Sequence, residues 1–492
     1  MKYKVITLIA SLILVCSTFV AAIYPSAPKN YGANRYHQHM EAQEKESCNH
    51  ADDSFCTHLP LVSINTGGQE IPGHKYYDEN GNSQMVMTPD GKDYIVASID
   101  VFDSAEKNNH LTDASSIASS MRISVRGRSS RYFDKSGYSI TLIDENGENN
   151  AQEMMGMDPH HEWVIHGPFL DKTLIRNYMW YNISGSIMSY APNVRFFELF
   201  IDGEYMGVYL MVESITAGKD SRLNLSVSKK NNTFSGYCLR LDQGSSTEIK
   251  NMDTFSMYMG MHDLSYNIVY PGTSNLNETL RRNIELDFSK FEKSLHSYDF
   301  KNSIYGYKKS IDVNSFVDYF IINEITCNYD AGALSTYVYR DVNGLYKMCV
   351  WDFNSSCDNY FNPIDIETFS IQDSIIYIML IRDPDFTEKI VERYRELRKT
   401  ILSEEYLMNY IDNTIAYLGD AVDRNYEKWG YSFDESEDLI TPTENNPRSY
   451  EEAVSNMKNF ITNRGNWLDA NIEAIYQYSS NSKNAITNDG AD

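Results

Sequence analysis

The stretch that most narrows what this chain can become runs from 312 to 359, where a helix pattern gives way to a hairpin pattern. In DVNSFVDYFIINEI, Asp312 to Ile325, the residues Val313, Phe316, Val317, Phe320, Ile321 and Ile325 stand three and four apart, which predicts a helix with one buried face. Two β-rich runs follow, Ser335 to Arg340 and Leu345 to Trp351, joined by Asp341-Val342-Asn343-Gly344, in which Asn-Gly is a strong hairpin-turn signal. Asp330 falls just before the first run and Asp352 just after the second, so both carboxylates are expected at the open end of one hairpin. Paired strands lie about 4.8 Å apart, near enough for two acids to share a divalent cation through hard oxygen ligands. Acids at strand ends also act as turn formers or solvated charges, and spacing alone leaves both readings open. Asp352 sits between Trp351 and Phe353 and behind Met348, Cys349 and Val350, where an unpaired carboxylate is costly to desolvate and a cation would relieve the cost.

These residues resemble the CotH kinase family, the spore-coat-protein-H-like atypical protein kinases. The likeness rests on Asn328-x-Asp330, the Tyr-rich strand after it, and Trp351-Asp352-Phe353 with its small polar loop. Further segments agree in order from about 58 to about 470: HLPLVSINTGGQEIPG (58–73), RGRSSRYFDKSGYSITL (126–142), HEWVIHGPFLDKTLIRN (161–177), LFIDGEYMGVYLMVESI (199–215) and DPDFTEKIVERYRELR (383–398). The resemblance implies ATP as phosphoryl donor, Mg²⁺ or Mn²⁺ as metal, Asp330 as the base that orients the acceptor hydroxyl, and Asp352 as the metal ligand. Lys135 takes the place of the family's strand lysine, which holds nucleotide phosphates, and Arg126 and Arg128 sit in its Arg-Gly motif. The general kinase loop places a metal-binding Asn five residues beyond the catalytic Asp. This chain has Ser335 there, whose hydroxyl can still ligate a metal, with Asn328 or Asn354 to help. Asn354 itself stands where the family's WDFD has a second acid, and no conventional glycine-rich nucleotide loop is present.

Taken in order, the chain is strand-rich from Leu59 and turns helical after about 245. Met121 to Arg126 and Tyr138 to Ile143 alternate as strands do. Between them GRSSRYFDKSG sets Gly and Ser beside two Arg and a Lys, with Arg126 just ahead, which suits either a phosphate cradle or a basic surface hairpin. Asp171 to Met188 reads as a helix, with Arg176 and Asn177 either family-specific or structural, Arg satisfying buried carbonyls. Phe196 to Ile201 and Glu204 to Val212 flank an Asp202-Gly203 turn, and Gly207 suggests a bulge. Glu213 closes that second run, either joining two lobes or partnering the nucleotide and cation of the site. Helices are expected over Leu286 to Leu295, Phe386 to Leu402, Tyr406 to Val422 and Tyr450 to Ile475. A β-rich N-terminal half (58–245) and a mainly helical C-terminal half (246–478) give an α+β fold, and the resemblance implies a two-lobed, protein-kinase-like one with the site in its cleft.

Composition bounds the function. With 492 residues, 42% of them hydrophobic, the chain has ample material for a core. A formal charge of −25 opposes binding to nucleic acid or anionic membranes. Met1 to Ala22, with Lys2 and Lys4 ahead of an apolar run and Val20-Ala21-Ala22 at its end, reads as a secretory signal peptide. A polar lead segment follows over 23–57, and a polar tail over 479–492. No later run is apolar enough to span a bilayer, so the expectation is a secreted or cell-surface protein. Six cysteines remain after cleavage, an even number that permits disulfides: Cys48 with Cys56, and a staple among Cys327, Cys349 and Cys357. The function expected on the resemblance is a secreted, metal-dependent kinase acting on Ser or Thr of an extracytoplasmic protein. A catalytically weak or inactive surface structural or adhesion protein is the alternative, and a glycosidase using Asp330 and Asp352 a third.

Overall fold

A computed structural model of the chain describes residues 35–46, 55–217, 222–223, 225–226, 232–243, 265–359, 363–434 and 446–479. The alternating first half forms β1 (Leu61–Asn65), an exposed hairpin of β2 (Lys75–Tyr77) and β3 (Ser83–Met85), then β4 (Ile95–Phe102), β5 (Ile117–Val125), β6 (Tyr138–Ile143), β7 (Glu162–His166), β8 (Val194–Ile201) and β9 (Glu204–Glu213). Apart from the hairpin, these strands close into a seven-stranded barrel in the order β1-β4-β5-β6-β7-β9-β8, with β8 parallel to β1 and every other pair antiparallel. Period-two patterning explains the closure. On β4, Ile95, Ala97, Ile99 and Val101 are buried while Val96 and Ser98 are exposed. β8 and β9 are buried on both faces instead. Phe197, Leu199, Tyr209 and Met211 fill the barrel, and the alternate residues Phe196, Val208, Leu210 and Val212 enter the larger core shared with the helices.

The helical half comprises α1 (Arg176–Ile187), α2 (Glu278–Leu295), α3 (Val313–Thr326), α4 (Pro384–Arg398), α5 (Glu404–Leu418), α6 (Ala421–Trp429) and α7 (Tyr450–Asn471). It encloses a second antiparallel sheet, β11-β10-β12-β13, made of β10 (Tyr237–Asp242), β11 (Ser265–Tyr270), β12 (Thr336–Arg340) and β13 (Lys347–Cys349). The expected hairpin is therefore real, but it is two strands of four. α3 is buried on every side from Ser315 to Thr326 rather than along one face, because β13, α4 and α7 all pack on it. The single helix expected over Tyr406 to Val422 is two, broken at Gly419 (φ 49°, ψ −134°), a conformation suited to glycine. The segment read as a polar lead is docked from Arg35 onward. Arg35 bonds Asn182 and the carbonyls of Ala191 and Pro192, and the Gln38 amide pairs with both the N–H and the C=O of Phe196 on β8. Its polar composition hides this, since it docks through hydrogen bonds to backbone and to polar side chains such as Asn182, Tyr178 and Tyr410.

Barrel and helices are welded where α6 lies on β9. Arg424 makes a two-pronged ion pair with Glu198 (2.9 and 2.8 Å), Trp429 Nε1 donates to Met206 O (2.7 Å), and Asn425 Oδ1 accepts from both Val208 N (3.1 Å) and Lys135 Nζ (2.6 Å). Gly207 (φ 100°) makes this approach possible, beside a register shift at Leu199/Phe200 that marks the expected bulge. Among the described residues the staple expected from Cys327, Cys349 and Cys357 is absent: Cys56, Cys238, Cys327, Cys349 and Cys357 form no disulfide with one another, and Cys48, the expected partner of Cys56, lies outside the described residues. Cys238 and Cys349 are kept apart by β12, while Cys327 Sγ turns back to Glu324 O (3.7 Å) and the Cys357 thiol lies against Ser356 and Trp180. The signal-peptide segment 1–22 and the tail beyond 479 also lie outside the described residues. Among those described, no helix is long and apolar enough to cross a membrane.

A Cβ on Gly207 would meet Asn425 Oδ1 at 2.5 Å, whereas one on Gly203 (φ 83°) would meet nothing within 4 Å. Gly203→Ala should cost about 1 kcal/mol from its backbone alone, and Gly207→Ala about 2–3 kcal/mol because α6 must also move. Equilibrium denaturation of the two variants side by side checks the order.

Candidate active site

The site begins where α3 ends. Asp312 caps its first turn by accepting from Ser315 N, and Cys327 (φ 42°, ψ 50°) closes its last in the left-handed region usually given to glycine. The Cys327 and Asn328 amides fold back onto Glu324 O (3.3 Å) and Asn323 O (3.1 Å). A buried ion pair between Glu324 and Arg464 of α7 anchors this helix end. The chain then tightens through Ala331 N to Asn328 O (3.1 Å) and Leu334 N to Asp330 O (2.7 Å). Asp330 thus sits in a turn ahead of β12 rather than at its first residue. Ser335, half-buried with φ 48°, leads directly into the strand. The β10–β12 register ends at Leu241 opposite Thr336, which brings Asp242 alongside Ser335 at the same sheet edge.

The other wall follows β13. Asp352, Cys357 and Asp358 all adopt left-handed backbone (φ 59°, 52° and 56°), so the loop between them has no regular ladder to satisfy its amides and carbonyls. The head of α1 satisfies them. Arg176, ion-paired with buried Asp171 (2.5 Å), donates to Ser356 O (3.0 Å) and Cys357 O (3.3 Å). Asn177 Oδ1 accepts from Phe353 N (2.7 Å), while its Nδ2 reaches Asn354 Oδ1 and His166 Nε2 (3.0 Å each). Because that amide group donates, Nε2 of His166 is the bare nitrogen and the ring proton sits on Nδ1. The Asp352 amide donates to the Tyr181 hydroxyl (3.0 Å), its carbonyl accepts from Asn328 Nδ2 (3.0 Å), and Oδ1 of its carboxylate accepts from Asn354 N (3.1 Å).

Electrostatics separates the two acids. No donor among the described residues reaches the Asp330 carboxyl, which burial, then Asp352, then Asp242 push up to about 7. His166 is driven the other way, down to about 4, chiefly by burial and against the pull of Asp352, so it is neutral at physiological pH. Arg126 belongs to the same locale, its guanidinium 5.4 Å from the centre of the Trp351 ring. Beside it Gly127 has φ 110°, a backbone that favours glycine, and a Cβ there would also force the Ser130 hydroxyl aside. Arg128 is exposed on that loop.

Two of the expected nucleotide residues are engaged within the fold. Lys135 lies in the loop before β6, not on a strand. Its ammonium is buried against Asn425 and over the Tyr209 ring, and burial lowers its pKa far below the ordinary value. Glu213 is buried at the end of β9, held by Arg222 (2.8 Å) and by Asn193 N (3.0 Å), which makes it a structural join. Asp242, His166 and Tyr181 had no motif to reveal them. Each carries a type and spacing found throughout the chain, and only the fold gathers them.

The donors suit a hard divalent cation. Asn328 is 3% exposed, and both hydrogens of its amide are taken by Asn323 Oδ1 (3.1 Å) and Asp352 O, which leaves Oδ1 as a buried oxygen without a partner next to Asp352. Asn354 Oδ1, by contrast, is spent on Asn177. Among the described residues no group of three or more His, Cys, Asp or Glu side chains forms a complete metal cage. A cavity of about 530 Å³ between α3 and α4 is lined by neither Asp330 nor Asp352, so the site rests on residue geometry rather than on cavity size.

A protein-family model described as "CotH kinase protein" matches residues 123–468, which span both walls of this site. No curated protein matches the chain.

Asp330 binds its proton more tightly folded than unfolded, so its stabilising contribution is full below about 4 and is lost as pH rises through about 7. Asp330→Asn should therefore unfold at a higher temperature than wild type at pH 8, with the difference vanishing towards pH 4. Thermal melts across that range check it.

Proposed function

This chain belongs to the CotH kinase family, and we propose that it transfers the γ-phosphoryl group of ATP to a Ser or Thr hydroxyl of an extracytoplasmic or surface protein. The observation that carries this reading is the unlike treatment of two neighbouring acids. Asp330, with no donor and a pKa near 7, is poised to exchange a proton. Asp352 is fixed by the surrounding amides on a left-handed backbone. Phosphoryl transfer asks for little more than positioning and electrostatic support.

In this reading the ionised Asp330 carboxylate accepts the proton of the acceptor hydroxyl as its oxygen bonds to the γ-phosphorus. The bond from that phosphorus to the bridging oxygen breaks, and ADP leaves with the electron pair. Mg²⁺ or Mn²⁺, when bound, supplies charge neutralisation for the phosphates, and Asp352 with Asn328 would hold it. Ser335, at the edge shared with Asp242, is a secondary oxygen donor. Asn354 shapes the loop through Asn177. Arg126, over Trp351 at the barrel rim, is the cation best placed to meet phosphate, with Arg128 beyond it. Lys135 supports the barrel wall behind them. The amino-terminal pattern of residues 1–22 supports export, which would make the acceptor an extracytoplasmic protein.

Thermal unfolding with ATP and either metal tests the nucleotide site. Ligand at about a hundred times its Kd should stabilise the chain by about 2.7 kcal/mol, and Asp352→Ala should abolish the shift. No shift at millimolar ATP with either metal would overturn the reading. Asp330→Asn should keep the ATP shift yet slow label transfer from γ-³²P-ATP to an acceptor protein by about 100-fold or more. Undiminished transfer would remove Asp330 from the role of base.

A further inference from the structure

Beside the Asp352 loop lies a cavity of about 320 Å³ between that loop and the first half of α7. Its volume is at the lower end of the range for small-molecule sites, roughly 300–1,000 Å³. Arg176 and Cys357 form part of its floor. Four residues of α7, Glu452, Asn456, Asn459 and Asn463, fall at helical spacing along one wall. Phe460 and Ile366 add an apolar strip.

The lining is rich in acceptors. Asn446, 5% exposed, gives its Nδ2 to Ser432 O (3.1 Å), and its buried Oδ1 has no partner. Asn359 gives its Nδ2 to Asn354 O (2.7 Å), which leaves its oxygen for the cavity. Glu452 and Asp358 present carboxylates that each accept one backbone amide, from Arg448 and Ile364. The cations that line it donate into the protein, Lys172 to Phe169 O (2.7 Å) and Arg176 to Asp171 and the loop carbonyls. Arg176 is already neutralised by Asp171, which leaves Lys172 facing Asp358 and Glu452, so the lining disfavours an anionic ligand. An unpartnered buried oxygen, further acceptors, a polar helical stripe and an apolar strip together call for a ligand rich in hydroxyl donors with one apolar face.

We propose that this cavity binds a neutral polyhydroxylated ring of monosaccharide size. Two of its lining residues, Asn359 and Arg176, also hold the backbone of the Asp352 loop, so an occupant contacts the rear of the candidate active site. The inference does not rest on the kinase reading, and its test needs neither ATP nor a metal. Saturation-transfer NMR on the full chain with glucose, N-acetylglucosamine and myo-inositol, each at about 10 mM, should show transfer to ring protons of at least one. Asn459 and Asn463 are exposed on α7 and can be changed without disturbing the core. In Asn459→Leu/Asn463→Leu, affinity should fall about tenfold or more. No transfer from any of the three probes overturns the proposal, as does equal transfer in wild type and variant. Transfer to adenosine but to none of the three overturns the assignment of ligand class.

Discussion

A loop that turns left-handed at Asp352, Cys357 and Asp358 cannot satisfy its own backbone, and the surrounding structure is arranged to do so. A buried carbonyl or amide left without a partner costs about 1–3 kcal/mol. Here Ser356 O, Cys357 O, Phe353 N, Asp352 N and Asp352 O are met by Arg176, Asn177, Tyr181 and Asn328. Three of those four come from α1. That helix is consequently buried on all sides at its head, and Asp171 neutralises Arg176 there. The clamp fixes the position of one acid of the site. The strain of the left-handed Asp352 persists because several partners over-determine it.

The opposite acid is treated by omission. Asp330 receives no donor among the described residues, so burial and the neighbouring carboxylates act on it unopposed. One acid is thus held in place through its backbone and a single amide on its carboxylate, while the other is left to burial and its neighbours' charge. The same economy explains the lysine of the basic loop. Lys135 serves α6 and the barrel through Asn425, which leaves the rim to arginines that stay charged when half-buried.

Ion pairs recur at the joints of the structure: Arg424 of α6 with Glu198 of β8 ties helix to barrel, Arg464 of α7 with Glu324 of α3 ties two helices, Arg176 with Asp171 steadies the head of α1, and Arg222 holds Glu213 at the end of β9. Buried pairs of this kind add little net stability, yet losing one partner strands the other in a low-dielectric interior. Their effect is to favour one packing of the elements each pair joins over slipped alternatives. Between them, β8 and β9 feed alternate side chains into both hydrophobic cores, so the larger core of the helical half is not closed without these two barrel strands.

What the sequence determined by itself was local. The helix before Asp330, the Asn343-Gly344 turn, the two runs beside it, the Asp202-Gly203 turn, the Gly207 bulge and the division into strand-rich and helical halves all follow from side-chain period and turn chemistry within a few residues. The placement of Arg176 against loop carbonyls was also open to reasoning, because few other fates suit a buried arginine. Tertiary structure alone decided the closure of the barrel, the extra strands beside the hairpin, the burial of Lys135, the docking of Arg35 and Gln38, and the free state of the cysteines. It also decided that His166, Asn177, Asp242 and Asn328 meet around Asp330 and Asp352. A periodic apolar pattern names its own face, whereas a polar side chain carries no record of its partner, which here arrives from a different element of the fold.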